Sequence, residues 1–116
     1  MTKLALLISR EEGFGRPGAR PTRNHNPGDL RHSPHSSHAG EGANDIGVID
    51  TDAHGWEDLE RQLRMDASRG MTLGECIYSW APPSENDSAR YLAYVCDGLG
   101  MDAATPLAEA LKLSAG

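Results

Sequence analysis

The chain has 116 residues, 38% hydrophobic and 24% charged, with a net charge of -6. That is enough chain for one ordinary core, and it excludes both a disordered polyelectrolyte and a membrane-embedded protein. The acidic balance argues against a nucleic-acid partner held by a broad basic surface.

The pattern predicts a first helix over residues 3–12, because Leu4, Leu7, Ile8 and then Glu11 or Glu12 recur on one face and Gly13 stops it. Leu4 to Ile8 is the longest apolar run. It is far short of the roughly 18 residues a membrane span needs, so no membrane insertion is expected. With Lys3 it also makes a poor export signal, so the expected location is the cytoplasm of the producing cell or a virion.

From Gly13 to about Gly55 the composition turns to Gly, Pro, Asn, Ser and His, with turn signals at Arg16-Pro17-Gly18, Asn26-Pro27-Gly28 and Ser33-Pro34. The strand candidate here is Ile46 to Asp50, with a hairpin partner expected near Leu30-Arg31. Arg10, Arg16, Arg20, Arg23 and Arg31 make the stretch 10–31 locally basic, as a site for an anion or a solvated loop surface would. His32, His35 and His38 fall at three-residue intervals, with His25 and His54 elsewhere. Such a flexible tract binds metal weakly, and solvated loop histidines are the expectation, with no metal site and no cofactor.

Helical patterning resumes at Asp52. Trp56, Leu59, Leu63 and Ala67 form a stripe ended by Gly70, with Trp56 and Trp80 expected in the core. Thr72 and Glu75 form a capping box ahead of Leu73, Ile77 and Trp80, and Pro82-Pro83 closes that helix. Asn86 or Asp87 caps the next, in which Leu92, Val95, Cys96 and Leu99 face inward and Gly98 or Gly100 ends the run. Thr105-Pro106 opens a last short helix with Leu107 and Leu111 on its buried face. Cys76 and Cys96 read as buried free thiols. The expected fold class is mainly α (α+β): one helical domain spanning 1–116, with a loop-rich insertion carrying a small β-hairpin after the first helix.

Glu11 and Glu12 end the first helix on or beside its apolar stripe. A carboxyl group half-buried there has its pKa raised and can protonate a leaving oxygen; a solvent-facing pair at a helix end is the plainer alternative. Asn24 and Asn26 offer amides for sugar groups or for turn chemistry. Ser84, Glu85 and Asn86 lie on a rigid polar loop, and Tyr91 follows one turn into the next helix.

Four blocks, Glu12-Gly13-Phe14, Arg23 to Arg31, His54-Gly55-Trp56 and Trp80 to Asp87 on to Tyr91, together resemble small phage and prophage proteins of the lysozyme-like superfamily. In that family a helix ends in Glu-Gly, an Arg-Asn-Asn-Asn-Pro-Gly-Asn-Leu-type stretch follows, a Gly-Trp opens a helix, and a Trp-Ala-Pro-Pro-Ser-Glu-Asn block precedes a tyrosine. His25 and Asp29 depart from it, standing where the family more often has Asn. The resemblance implies a lysozyme-like fold and cleavage of the peptidoglycan glycan strand, as by an endolysin, a virion-associated lysin or a lytic transglycosylase. It makes Glu12 the catalytic acid, with Glu11 the fallback, and raises Tyr91 as a site residue; Asn24, Asn26, Ser84, Glu85 and Asn86 join it as candidate substrate-binding residues on their own chemistry. Asp29, Asp50 and Asp52 are the candidates for a second carboxylate; without one, Glu12 would act as acid and then as base while the substrate's own 6-hydroxyl closes an anhydro ring, the route slightly favoured here. The implied partners are the glycan strand and either a virion or a holin-type membrane-permeabilising protein. A non-catalytic glycan-binding or structural virion protein on the same fold is the alternative.

Overall fold

The structure, a computed structural model, describes residues 1–41 and 46–114. It is mainly helical with one two-stranded antiparallel sheet: α1 (Lys3–Glu12), α2 (Arg20–Arg23), β1 (Ser36–Glu41), β2 (Ile46–Ile49), α3 (Asp52–Ser68), α4 (Leu73–Trp80), α5 (Ser88–Leu99) and α6 (Leu107–Ser114). No helix among the described residues is long and apolar enough to cross a membrane. The chain divides into two compact units, one formed by Met1 and Ile8–Gln62, the other by Thr2–Leu7 and Leu63–Gly116.

The first unit holds the hairpin. Its buried apolar side chains include Ile8, Ile46, Ile49 and Leu59. β2 has the β-branched residues of a strand, whereas its partner, Ser36–Glu41, is polar and has none. The partner expected at Leu30-Arg31 is therefore corrected: Ser36 pairs with Ile49 and Ser37 with Val48, and an irregularity precedes the pairing of Glu41 with Ile46. Leu30 still touches the strand, its carbonyl accepting from the Gly47 N–H at 2.9 Å. Gly47 fits where a Cβ would stand 2.6 Å from the Ser36 Cβ, so only glycine allows this approach. Within the loop-rich stretch Arg20–Arg23 forms a short helix, which proline near its start suits.

The second unit is helical. α4 packs against α5 and α6 around Leu73, Cys76, Ile77, Tyr91, Val95, Leu107 and Ala110, all buried. Its local rules are those the sequence spells out. Thr72 and Glu75 close a reciprocal capping box on α4, and α5 ends at Gly100 in a left-handed conformation (φ 66°). Of the two residues able to cap α5, Asp87 does so, accepting from the Arg90 N–H. Leu92, Cys96, Leu99 and Leu111 are only half-buried, so the inward face is narrower than the pattern suggests. Trp56 in the first unit and Trp80 in the second are half-buried too, rather than full core residues.

Candidate functional site

Glu12 occupies the C-cap of α1. The Phe14 N–H donates to the Ser9 carbonyl at 2.9 Å and the Gly13 N–H to the Arg10 carbonyl at 3.2 Å, with Gly13 at φ 95°. This is a Schellman termination, in which a residue without Cβ takes the left-handed position. The helix thus stops at Glu12, and Glu11 and Glu12 are both half-exposed. Phe14 then turns into the first unit and meets Trp56 edge-on, with ring centroids 5.3 Å apart at 76°. The position of Glu12 therefore follows from the Glu-Gly-Phe order: helix, break, aromatic anchor.

The Asn24 to Asp29 turn sits in the same unit. Asn26 is fully buried; its Nδ2 donates to the carbonyls of Leu30 (2.8 Å) and Gly47 (2.9 Å), and its Oδ1 accepts from the Leu30 N–H (2.9 Å). Of the two uses open to this amide, the structure shows turn chemistry, with the turn fastened to β2. Asn24 is 3% exposed, and its Nδ2 finds no hydrogen-bond partner among the described residues. Its carbonyl accepts from the Ile49 N–H at 2.8 Å, so it too ties the turn to the hairpin. His25 and Asp29 have left-handed backbones, at φ 52° and 51°. Asn, Asp and His are the non-glycine residues that tolerate this region best, so histidine and aspartate both suit these backbones.

The basic segment is partly spent on itself. Arg20 makes a two-pronged pair with Asp29, Nε to Oδ1 at 3.1 Å and Nη2 to Oδ2 at 2.5 Å. Arg23 donates to the Gly18 carbonyl. Asp50 and Asp52 are engaged as well, Asp50 with His54 Nδ1 at 2.8 Å and Asp52 with His25 Nδ1 at 2.7 Å. All three candidates for a second carboxylate are therefore held by a cation or an imidazole.

The other expected binding residues belong to the second unit. Ser84, Glu85 and Asn86 are exposed on the turn between α4 and α5, where the Glu85 and Asn86 N–H groups donate to the Pro82 carbonyl at 2.9 and 3.0 Å. Tyr91 is 4% exposed, inside that unit's core. A shallow depression in the second unit is lined by Cys96, Asp97, Gly100, Met101, Asp102, Thr105 and Glu109, none of them an expected site residue. The thiols differ. Burial first, and the Asp66 carboxylate next, push Cys76 up to about 12, making it an inert core thiol, whereas Cys96 is only half-buried.

Sequence reading missed a second cluster in the first unit. His35 and His54 stack with ring centroids 3.9 Å apart and planes within 7°. His35 Nδ1 lies 2.7 Å from Asp58 Oδ1, while Asp58 Oδ2 accepts from the Ser33 hydroxyl (2.6 Å) and the His35 N–H (2.9 Å). Burial pushes the Asp58 carboxyl up, but the hydrogen bonds from Ser33 and from the side chain and backbone of His35 together hold it below its ordinary value. The hydrogen bond from His54 leads the causes that lower Asp50, and Asp50 in turn raises His54. His35 and His54 are thus paired and oriented rather than loosely solvated. His32 is exposed, and the side chain of His38 lies outside the described residues. The available signal was His54-x-x-Glu57-Asp58, which puts an imidazole and a carboxylate on adjacent turns of one helix face.

Compared with known proteins, the chain matches no family model, no curated protein and no solved structure.

Proposed function

We propose that the protein cleaves the glycan strand of peptidoglycan, with Glu12 as the acid that protonates the leaving glycosidic oxygen. The observation that carries this reading is the termination of α1: a half-exposed glutamate at the C-cap, fixed by the Gly13 break, in the same compact unit as the hairpin-bearing lobe. The order of elements, a first helix, an irregular lobe with one hairpin, then helices, is the one the lysozyme-like resemblance implies.

Glycosidic cleavage develops positive charge on the sugar ring, which needs a second carboxylate or an internal nucleophile. Asp29, Asp50 and Asp52 each have a partner within the first unit. This favours the transglycosylase route, in which Glu12 gives its proton to the leaving oxygen and its carboxylate then takes the proton of the substrate's 6-hydroxyl as the anhydro ring closes. Asn24, whose Nδ2 finds no hydrogen-bond partner among the described residues, is the proposed sugar contact in the first unit; Asn26 supports the turn, and Tyr91 supports the second unit. In this reading the protein acts on the bacterial wall, from a virion or after a separate protein permeabilises the membrane.

The test is clearing of a suspension of purified peptidoglycan. The native protein is expected to clear it and Glu12→Gln is not; equal clearing by both removes Glu12 from the role of acid. Binding without clearing by the native protein favours the non-catalytic glycan-binding alternative.

A further inference from the structure

We propose that His35, His54 and Glu57 form a binding site for one divalent transition-metal ion of the zinc type, joining the turn before β1 to the first turns of α3. One ligand atom from each of the three residues lies within 4.8 Å of the other two. His54 and Glu57 stand one turn apart at i and i+3 on α3, and His35 is brought to them across the unit by Asp58.

The tautomers follow from the hydrogen bonds. A carboxylate only accepts, so His35 Nδ1 facing Asp58 at 2.7 Å and His54 Nδ1 facing Asp50 at 2.8 Å must both carry hydrogen. In the neutral rings the remaining nitrogen, Nε2, then carries the lone pair, the form a metal takes. A carboxylate on the far nitrogen of each ligating imidazole is the arrangement that orients and strengthens histidine ligands. Asp58 is well fixed for this task, with its side chain 1% exposed and both oxygens engaged.

His54 Nε2 and Glu57 Oε2 are 4.0 Å apart, too far for a hydrogen bond. Two imidazoles and a carboxylate are the donor set of open zinc sites, which leave one position for water. Neighbouring ligand atoms in a tetrahedral zinc site stand about 3.3 Å apart and the ion lies in the plane of each imidazole, so binding asks the stacked His35 and His54 rings to tilt out of parallel, pivoting on their Nδ1 hydrogen bonds, besides side-chain shifts of about 1 Å. Glu57, whose side chain is 67% exposed, has room to make them. Nitrogen donors select zinc, nickel or copper over magnesium and calcium, whose sites are built of oxygen.

The test titrates zinc chloride into the chelator-stripped, dialysed full-length chain by calorimetry, and cobalt(II) with detection by visible absorption. The expected result is one saturable ion per chain with a raised Tm, no comparable binding of magnesium, and at least tenfold weaker zinc affinity in His54→Ala and in Glu57→Gln. His32→Ala is expected to bind as the native chain does. Both weakening variants alter partly exposed side chains, and unchanged far-UV circular dichroism checks their folds. Absence of saturable zinc binding, or native affinity in both His54→Ala and Glu57→Gln, overturns the proposal. The readout is binding, so it stands or falls independently of the Glu12 chemistry.

Discussion

Gly55 gives the sharpest stability prediction, because two effects of opposite sign meet there. It lies in the first turn of α3, where replacing glycine by alanine in an unobstructed helix stabilises by about 0.5–1 kcal/mol. A Cβ at this position, however, would stand 2.2 Å from the His25 carbonyl oxygen and 2.7 Å from Pro27 Cδ. Contacts between carbon and a carbonyl oxygen settle near 3.3–3.6 Å, so the backbone of the turn must retreat by about 1 Å. That turn is fixed by the buried Asn26 amide and by the bond from the Ile49 N–H to the Asn24 carbonyl, so retreat stretches several hydrogen bonds at once. Overpacking of this kind costs about 1–3 kcal/mol or more, and the strained turn places Gly55→Ala at the upper end. The clash outweighs the propensity gain, and the expected net loss of about 2 kcal/mol lowers Tm on the order of 10 °C. Thermal and urea unfolding followed by circular dichroism measure it. Gly98→Ala is the comparison, since the atoms nearest its Cβ, at 2.7 and 2.8 Å, are the methyl ends of the Leu7 side chain rather than backbone; its loss is expected to be the smaller. If Gly55→Ala is as stable as the native chain or more so, the close approach of this turn to α3 is refuted.

Three further outcomes follow from the same contacts. Asn26→Ala strips three hydrogen bonds from a fully buried position and is expected to cost about 2–4 kcal/mol, read by the same unfolding curves. Asp58 is held below its ordinary pKa, so its contribution to stability is present above the unfolded carboxylate pKa and is lost as pH falls through the lower folded value. Asp58→Asn is therefore expected to flatten the acid limb of a plot of stability against pH. His54 has the opposite sign: its raised pKa adds stability below the unfolded imidazole value that fades as pH rises through the folded one, and an NMR titration is expected to place His54 above an ordinary histidine and to bring it down in Asp50→Asn.

What was legible in the sequence was local. The end of α1, the Thr72–Glu75 box and the glycine closing α5 are each decided by neighbours within a few residues, and each appears where the pattern puts it. β1 was illegible because Ser36–Glu41 has no strand preference of its own and is held by the β-branched β2. The imidazole–aspartate pairs were hidden for a related reason: His35 and Asp58 are 23 positions apart and His25 and Asp52 are 27, distances at which spacing carries no signal. Asn26 shows the middle case. Its place before Pro-Gly marked a turn, but the bond to Gly47 that fastens that turn to the hairpin spans 21 positions and needed coordinates.

The most direct test of the account is mass spectrometry of the fragments released from purified peptidoglycan. The account predicts new glycan ends carrying the anhydro ring in digests by the native protein and by Glu11→Gln, and none in digests by a folded Glu12→Gln variant. Release of the same ends by Glu12→Gln, or no new glycan ends from the native protein, would contradict it.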